Sequence, residues 1–267
     1  MTIQILLEPE LMIRRRPSHT LNRLPRLSDW SVGDALPDVL RNLNQPVVIH
    51  RKAWEYGLCI TGLATLGVVT PEARALAVGA GYESPLFYFA NHIAEMVATD
   101  LYDNPSHEGQ PAMVTSPDKF APFEYRHDHL KVFRMSGDNL EFDDDTFDFV
   151  FCLSSIEHFG SRATQRKALS EMRRVLRPGG IACIITELIL NGGVHDEYFT
   201  PAEMEQMFLR DRSFPLVGGP FSGRISQELC AMPVDVRDAD DLRASPHIVL
   251  TDGNLLWTSA SLFLQKQ

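Results

Sequence analysis

The sequence predicts an α/β fold: a doubly wound, mostly parallel seven-stranded sheet with an antiparallel C-terminal hairpin strand and an N-terminal helical cap. Two observations carry this. From Arg74 onward, short and nearly continuous apolar runs alternate with segments of helical periodicity, the pattern of strands buried on both faces between helices. The chain is 267 residues long, 44% hydrophobic and 22% charged, enough to bury one large core.

The elements follow in order. Residues 1–70 hold two helical stretches, "WSVGDALPDVLRNL" and "HRKAWEYGLCITGLATLGV", with no repeat and no low-complexity tract. They are expected to pack on the sheet as a cap belonging to the same domain. "RALAVGA" is the first sheet strand, and "SPLFYFANHIA" follows as a helix with Pro85 in its first turn. "EMVATD" is a second strand ending at Asp100. Residues 101–129 are irregular, bear Pro and His, and are too long for a plain connection, which makes them a candidate functional loop. "LKVFRM" and "TFDFVFCLSS" are the third and fourth strands. "SRATQRKALSEMRRVL" is an amphipathic helix with Ala168, Met172, Val175 and Leu176 on one side. It stops at "RPGG", because proline cannot donate the next helical hydrogen bond and glycine can turn left-handed. "IACIITE" is the fifth strand. "FTPAEMEQMFLRD" opens a further helix, with Thr200 as N-cap, Pro201 at its first position and Glu203 placed for a capping box. The end, "HIVLTDGNLLWTSASLFLQK", has two β-like runs about an Asp-Gly-Asn turn, hence the hairpin.

Charge and cysteine usage exclude several classes. With 35 acidic against 25 basic residues the formal charge is −10, the wrong sign for gripping phosphate backbones, so no nucleic acid is expected as partner. The triplet Arg14, Arg15 and Arg16 ends at Pro17 and reads as a solvated arm. Cys59, Cys152, Cys183 and Cys230 are scattered without a C-x-x-C pair, which suggests neither disulfides nor zinc and points to a cytoplasmic location. In "MTIQILLEPELMIRRR" the charges follow the apolar run, the reverse of a secretory signal. No stretch approaches 18 uninterrupted apolar residues, so no membrane partner is expected.

The chemistry begins at "VGAGYE". Where a strand runs into a helix, unpaired N–H groups face outward, and glycine lets a ligand approach the backbone. Asp100 lies about 20 residues beyond the turn at the next strand tip, where a carboxylate can accept from both ribose hydroxyls. A dinucleotide would want a third glycine at residue 84, which is Ser84, and Tyr82 and Glu83 crowd a pyrophosphate seat. No cation adjoins the turn in sequence. A nucleoside without pyrophosphate fits better, and S-adenosyl-L-methionine has that shape: adenine, ribose and a short zwitterionic tail around a sulfonium.

Over residues 74–187 the chain resembles the class I S-adenosylmethionine-dependent methyltransferases, with a Rossmann-like core. The strongest stretch is "MSGDNLEFDDDTFDFVFCLSSIEHFGSRATQRKALSEMRRVLRPGG", similar in order and spacing to that family's adenine loop, fourth strand, helix and Pro-Gly-Gly turn. More loosely, "HRKAWEYGLCITGL", "VATDLY" and "SSIEHFG" look like small bacterial methyltransferases of glycan or secondary-metabolite pathways. The resemblance implies a methyltransferase domain binding S-adenosylmethionine over residues 71–267. It also implies a cofactor set: Gly79, Ala80, Gly81, Tyr82 and Glu83 at the turn, Asp100 and Leu101 at the second strand tip, Ser136, Gly137 and Asp138 jointly in the adenine loop, and Ser154 and Ser155 after the fourth strand. Two departures stand out. Ala77 occupies the position of the family's first acidic residue, and Glu83 that of its third glycine. Glu83 either accepts from the cofactor's α-amino group or points to solvent.

His158, at the carboxyl end of the fourth strand, is the candidate general base, since imidazole titrates near neutrality. Glu157 is a loop anchor or a substrate ligand. His195, Asp196 and Tyr198, and His127 and His129, lie in loops suited to cover the acceptor. Trp54 and Tyr56 either lid the cofactor or join the core, and their spacing favours core. No metal-ligand spacing is evident. The expected activity is methyl transfer to a small-molecule or glycan-like acceptor, at oxygen. Two rivals remain, a nicotinamide-dependent oxidoreductase and a cofactor-binding partner module without transfer. A homodimer is open to such a chain.

Overall fold

Small and β-branched residues without Gly or Pro carry Arg74–Val78 straight into the sheet as β2, buried from Ala75 onward. The computed structural model describes residues 2–11, 20–31, 33–103, 110–238, 240 and 245–267. The basic triplet Arg14, Arg15 and Arg16 lies outside the described residues.

The strands of the main sheet are β2, β3 (Glu95–Asp100), β4 (Leu130–Arg134), β5 (Phe147–Leu153), β6 (Leu176–Ile189), β8 (Val234–Asp235), β9 (Leu250–Thr251) and β10 (Leu256–Gln265). Their order is β4-β3-β2-β5-β6-β10-β9-β8. That is eight strands where the sequence predicts seven, because β8 is a two-residue piece too short to carry periodicity. From β4 to β6 all pairs are parallel. β10 runs antiparallel to both β6 and β9, which is the expected hairpin. A second, unforeseen parallel pair joins β1 (Leu6–Glu8) to β7 (Arg224–Ser226). Leu6 and Leu7 are exposed, so no alternating pattern announces β1.

Helices cover both faces. Alternation along the strands divides the apolar residues in two: Leu76, Val78, Val150, Cys152 and Ile184 face one cluster, and Ala75, Ala77, Phe149, Phe151 and Cys183 the other. The first cluster receives the helix Arg162–Val175 through Ala168, Met172 and Val175. The second receives Arg51–Thr65 and Ser84–His92. Close approach of the helix Arg51–Thr65 depends on Gly62, where a Cβ would stand 2.3 Å from the Phe263 ring of β10. The capping box predicted at Thr200 and Glu203 is present, followed by a π-helical turn over Glu205–Leu209. β6 starts at Leu176, before the "RPGG" segment, and its register against β5 slips between Phe147 and Phe149. The Pro-Gly-Gly turn is therefore an irregularity inside a ladder that has already begun. The four cysteines are free thiols.

From β2 the chain builds outward through β3 to β4, then returns to place β5 on the other flank of β2. The two winding directions part between β2 and β5, which leaves a crevice at the carboxyl ends of these strands.

Candidate active site

The bend after β2 is tight for reasons the residues supply. Gly79 and Gly81 take φ of +65° and +48°, a region that costs other residues steric strain. A Cβ on Gly79 would come within 2.6 Å of Ser155 Cβ, and the Ser155 hydroxyl donates to the Gly79 carbonyl at 2.8 Å. Asp100 turns toward the bend: Oδ2 accepts from the Gly81 N–H at 2.9 Å and Oδ1 from the Tyr102 N–H at 3.0 Å. Ala80 sits buried beneath the turn, its N–H donating to the Thr99 carbonyl at 3.0 Å.

Ala77 has a packing explanation. It pairs with Phe151, and Ala75 with Phe149, while Phe89 places its ring 5.1 Å from Phe149 and 5.5 Å from Phe151. A carboxylate at residue 77 would be buried among aromatic rings without a partner. Asp100 and Ser155 order the turn in its stead.

Above the bend lies a cavity of about 760 Å³. Every expected cofactor residue except Ala80 lines it, and so does His158. At one end are Leu101, Met135, Ser136, Gly137, Asp138 and Phe159. Gly137 is close-packed, since a Cβ there would meet Phe159 at 2.7 Å. The Ser136 hydroxyl donates to Asp138 Oδ1 at 2.5 Å, and Lys167 stands 3.2 Å from Oδ2. These two donors hold the Asp138 carboxyl below its ordinary range, so Ser136 and Asp138 act as one unit.

The opposite end adds Arg51, Lys52 and Glu187, which the sequence reading missed, to Tyr56, Glu83 and Ser154, which it weighed. Arg51, Lys52 and Tyr56 belong to the helix Arg51–Thr65. Lys52 Nζ lies 2.8 Å from Glu83 Oε1 and 2.9 Å from Glu55 Oε2, and it donates to the Leu153 carbonyl at 3.3 Å. Arg51 reaches Glu55 at 3.4 Å and pairs closely with Glu187. Ser154, at a left-handed φ of +49°, donates from its hydroxyl to Glu55 Oε1 at 2.9 Å. Burial opposes ionisation of Glu55, but Lys52 and Arg51 overcome it and hold the carboxyl below its usual range. At Glu83 burial wins over Lys52 and pushes the carboxyl up to about 7. Glu83 thus faces the cavity and its lysine, not solvent. The cation absent beside the turn in sequence arrives from a helix 31 positions earlier. It is shared between two carboxylates.

His158 Nδ1 stands 3.2 Å from Glu197 Oε2, which leaves Nε2 for another partner. No spacing rule marks Glu197. It is delivered by its loop, where the N–H groups of Glu197 and Tyr198 donate to His195 Nδ1 at 3.2 and 3.3 Å and the His195 ring stacks on Tyr198. His195 shapes this loop and does not line the cavity. Neither do His127, 2.9 Å from Asp118, nor His129, whose Nδ1 lies 2.8 Å from the Ile93 carbonyl. Glu157 is an anchor: fully buried, it accepts from the Thr186 hydroxyl at 2.8 Å. Burial, with neighbouring Glu187, pushes it up to about 8. Trp54 belongs to the core and donates to Asp29 Oδ2 at 2.7 Å, whereas its neighbour Tyr56 faces the cavity.

A parallel sheet with a glycine bend and an acidic strand tip beside its switch point defines a nucleoside-cofactor-binding α/β protein. The comparisons specify it further. Residues 76–184 match the family model described as a methyltransferase domain. The chain is 27% identical over 127 residues to the uncharacterized methyltransferase YcgJ of Bacillus subtilis (strain 168), covering 48% of this chain and 46% of that protein. It is 48% identical over 44 residues to the probable methyltransferase ltbC of Aspergillus luteorubrus, 16% of this chain and 15% of that one. The matched segments thus span less than half the length of either curated relative. Among solved structures, B. subtilis YcgJ superposes with a TM-score of 0.51 at 17% identity, over 80% of this chain and 98% of that one. The [4+2]-cyclase SpnF superposes with a TM-score of 0.53 at 15% identity, over 99% and 98%. Both likenesses are of fold. Residues 76–184 thus form a domain similar to the S-adenosylmethionine-dependent methyltransferases. No described helix is long and apolar enough to cross a membrane.

The residues present fit that cofactor. Asp100 is oriented by two backbone N–H groups at the cavity wall, with lone pairs left for ribose hydroxyls. Lys52 and Glu83 form a pair of opposite sign at the turn, suited to a zwitterionic tail.

Proposed function

We propose that this protein transfers a methyl group from S-adenosylmethionine to a hydroxyl of a small-molecule or glycan-like acceptor, with His158 as general base. The observation that carries the reading is the His158–Glu197 contact of 3.2 Å at the wall of the cavity that also holds the glycine bend and Asp100. A carboxylate on one imidazole nitrogen fixes the tautomer, so that the other nitrogen can take a proton, and it stabilises the imidazolium that results.

When bound, S-adenosylmethionine supplies an electrophilic methyl group that needs no further activation. The chain's own residues then position, deprotonate and exclude water. Gly79, Gly81 and Asp100 hold the nucleoside end, and Ser136, Gly137 and Asp138 border the adenine. Tyr82, Leu101, Ser154 and Ser155 complete the walls. Positioning within roughly 3–3.5 Å is the larger share of such catalysis, and the base adds roughly 10²–10⁴-fold. His158 Nε2 takes the hydroxyl proton, and Glu197 carries the compensating charge. Residues 1–70 act as part of the same domain, because Arg51, Lys52 and Tyr56 furnish one wall of the cavity. We place the protein in the cytoplasm, in line with its four free thiols.

The test combines calorimetry and labelled-methyl transfer. S-adenosylmethionine and S-adenosylhomocysteine should bind and NAD should not. Label should pass to hydroxyl-bearing metabolites, and His158→Ala should lose transfer while keeping S-adenosylhomocysteine affinity. Cofactor binding with no transfer to any hydroxyl compound would instead make the chain a non-transferring partner module.

A further inference from the structure

One carboxylate at the cavity is left unused by this chemistry. Glu187, on β6, is 3% exposed and lines the cavity. Arg51 occupies Oε1, while the buried Oε2 has no hydrogen-bond partner among the described residues. Native folds rarely leave such an oxygen unsatisfied. The nearby Ser and Thr hydroxyls are committed elsewhere: Ser259 to Glu55 at 2.6 Å, Thr186 to Glu157 at 2.8 Å, and Thr258 to the Ile248 carbonyl at 2.7 Å. Arg51 Nε is buried without a hydrogen-bond partner among the described residues, yet makes none to Oε2. The charged groups facing Glu187 are Arg51, Lys52, Glu55, Glu157 and His158. Of these, Arg51, Lys52 and His158 share the cavity wall with it.

We propose that Glu187 Oε2 binds the acceptor by receiving a second donor, a hydroxyl or an amine N–H, that neighbours the hydroxyl facing His158. The substrate class is therefore a compound with two adjacent hydrogen-bond donors. An acceptor with one donor satisfies His158 and leaves the carboxylate bare. Glu187 is a specificity-determining residue, and its role rests on the methyltransferase reading above.

The experiment uses the full chain saturated with S-adenosylhomocysteine and, since Tyr56 and Tyr82 line the same cavity, flat-ring probes. Catechol, 2-aminophenol, 2-(aminomethyl)phenol and phenol are titrated by calorimetry into wild type, E187Q and E187L. At least one two-donor probe should bind wild type about tenfold or more tighter than phenol, the increment of a hydrogen bond to a charged group. Catechol and 2-aminophenol report a neutral donor, and 2-(aminomethyl)phenol a cationic one. Both variants should lose that advantage with S-adenosylhomocysteine affinity unchanged, and the isosteric E187Q suffices should E187L not fold. The proposal is overturned if no probe binds wild type better than phenol, if the variants keep the preference, or if E187Q weakens S-adenosylhomocysteine, which would assign Glu187 to the cofactor. Failure of wild type to bind S-adenosylhomocysteine would overturn the methyltransferase reading instead.

Discussion

In the proposed function Asp100 is the group on which nucleoside binding turns, and alanine at this position removes it. The carboxylate accepts from the Gly81 and Tyr102 N–H groups at 2.9 and 3.0 Å and keeps lone pairs for the ribose. Two hydrogen bonds from ribose hydroxyls to a charged acceptor contribute about 1.5–3 kcal/mol each, so Asp100→Ala should weaken S-adenosylhomocysteine by about 3–6 kcal/mol, or roughly 10²–10⁴ in Kd. Asp100→Asn keeps one acceptor and should lose about half of that free energy. Isothermal titration reads both directly, and thermal melts of the ligand-free variants show how far loss of the Gly81 contact loosens the bend. Binding by Asp100→Ala within about threefold of wild type, well under one such hydrogen bond, would refute the placement of the ribose at this carboxylate.

Three further outcomes can be checked. His158→Ala should lower kcat by roughly 10²–10⁴-fold, and Glu197→Gln, which leaves the ring but weakens its partner, should lower it less and shift the pH–rate profile. Glu157 is pushed up to about 8 in the folded protein. Its unfolded form ionises near pH 4.5, so the folded state binds the extra proton between these values and stability falls as pH rises through them. Glu157→Gln should flatten that fall, by a few kcal/mol at pH 8, as seen in denaturant midpoints at pH 5 and 8. Gly62→Ala would place a Cβ 2.3 Å from the Phe263 ring and should cost about 1–3 kcal/mol, measured as a lowered melting temperature at constant m-value.

The parallel half of the fold was legible because its strands are apolar on both sides and their ends are marked. "RALAVGA", "EMVATD" and "TFDFVFCLSS" each contain a strand within a residue or two of where it lies. The grouping of Gly79, Gly81 and Asp100 at one cavity was legible for a related reason: they sit at strand tips, where sequence order dictates position. The far wall of the cavity was not. Glu187 is the seventh of the residues from Ile181 along a strand otherwise read as core, and its meaning comes from Arg51, 136 positions away. Glu197 depends on a loop shaped by His195, and nothing in local spacing says which of several loop acids turns inward. Tyr56 and Trp54 are two apart on one helix, yet one lines the cavity and the other is buried against Asp29, a choice made by the elements packed around them. β1 and β8 escaped because strands of two or three residues have no period to detect.

The helix Arg51–Thr65 has a consequence for any attempt to trim or graft this protein. Through Lys52 and Arg51 it supplies counterions for Glu83 on the bend and Glu187 on β6, so the amino-terminal segment and the catalytic half are electrostatically one object. A truncated core, or a chimera with a foreign first segment, would strand two interior carboxylates, each a liability of about 3–5 kcal/mol. Such an exchange must carry all four residues together.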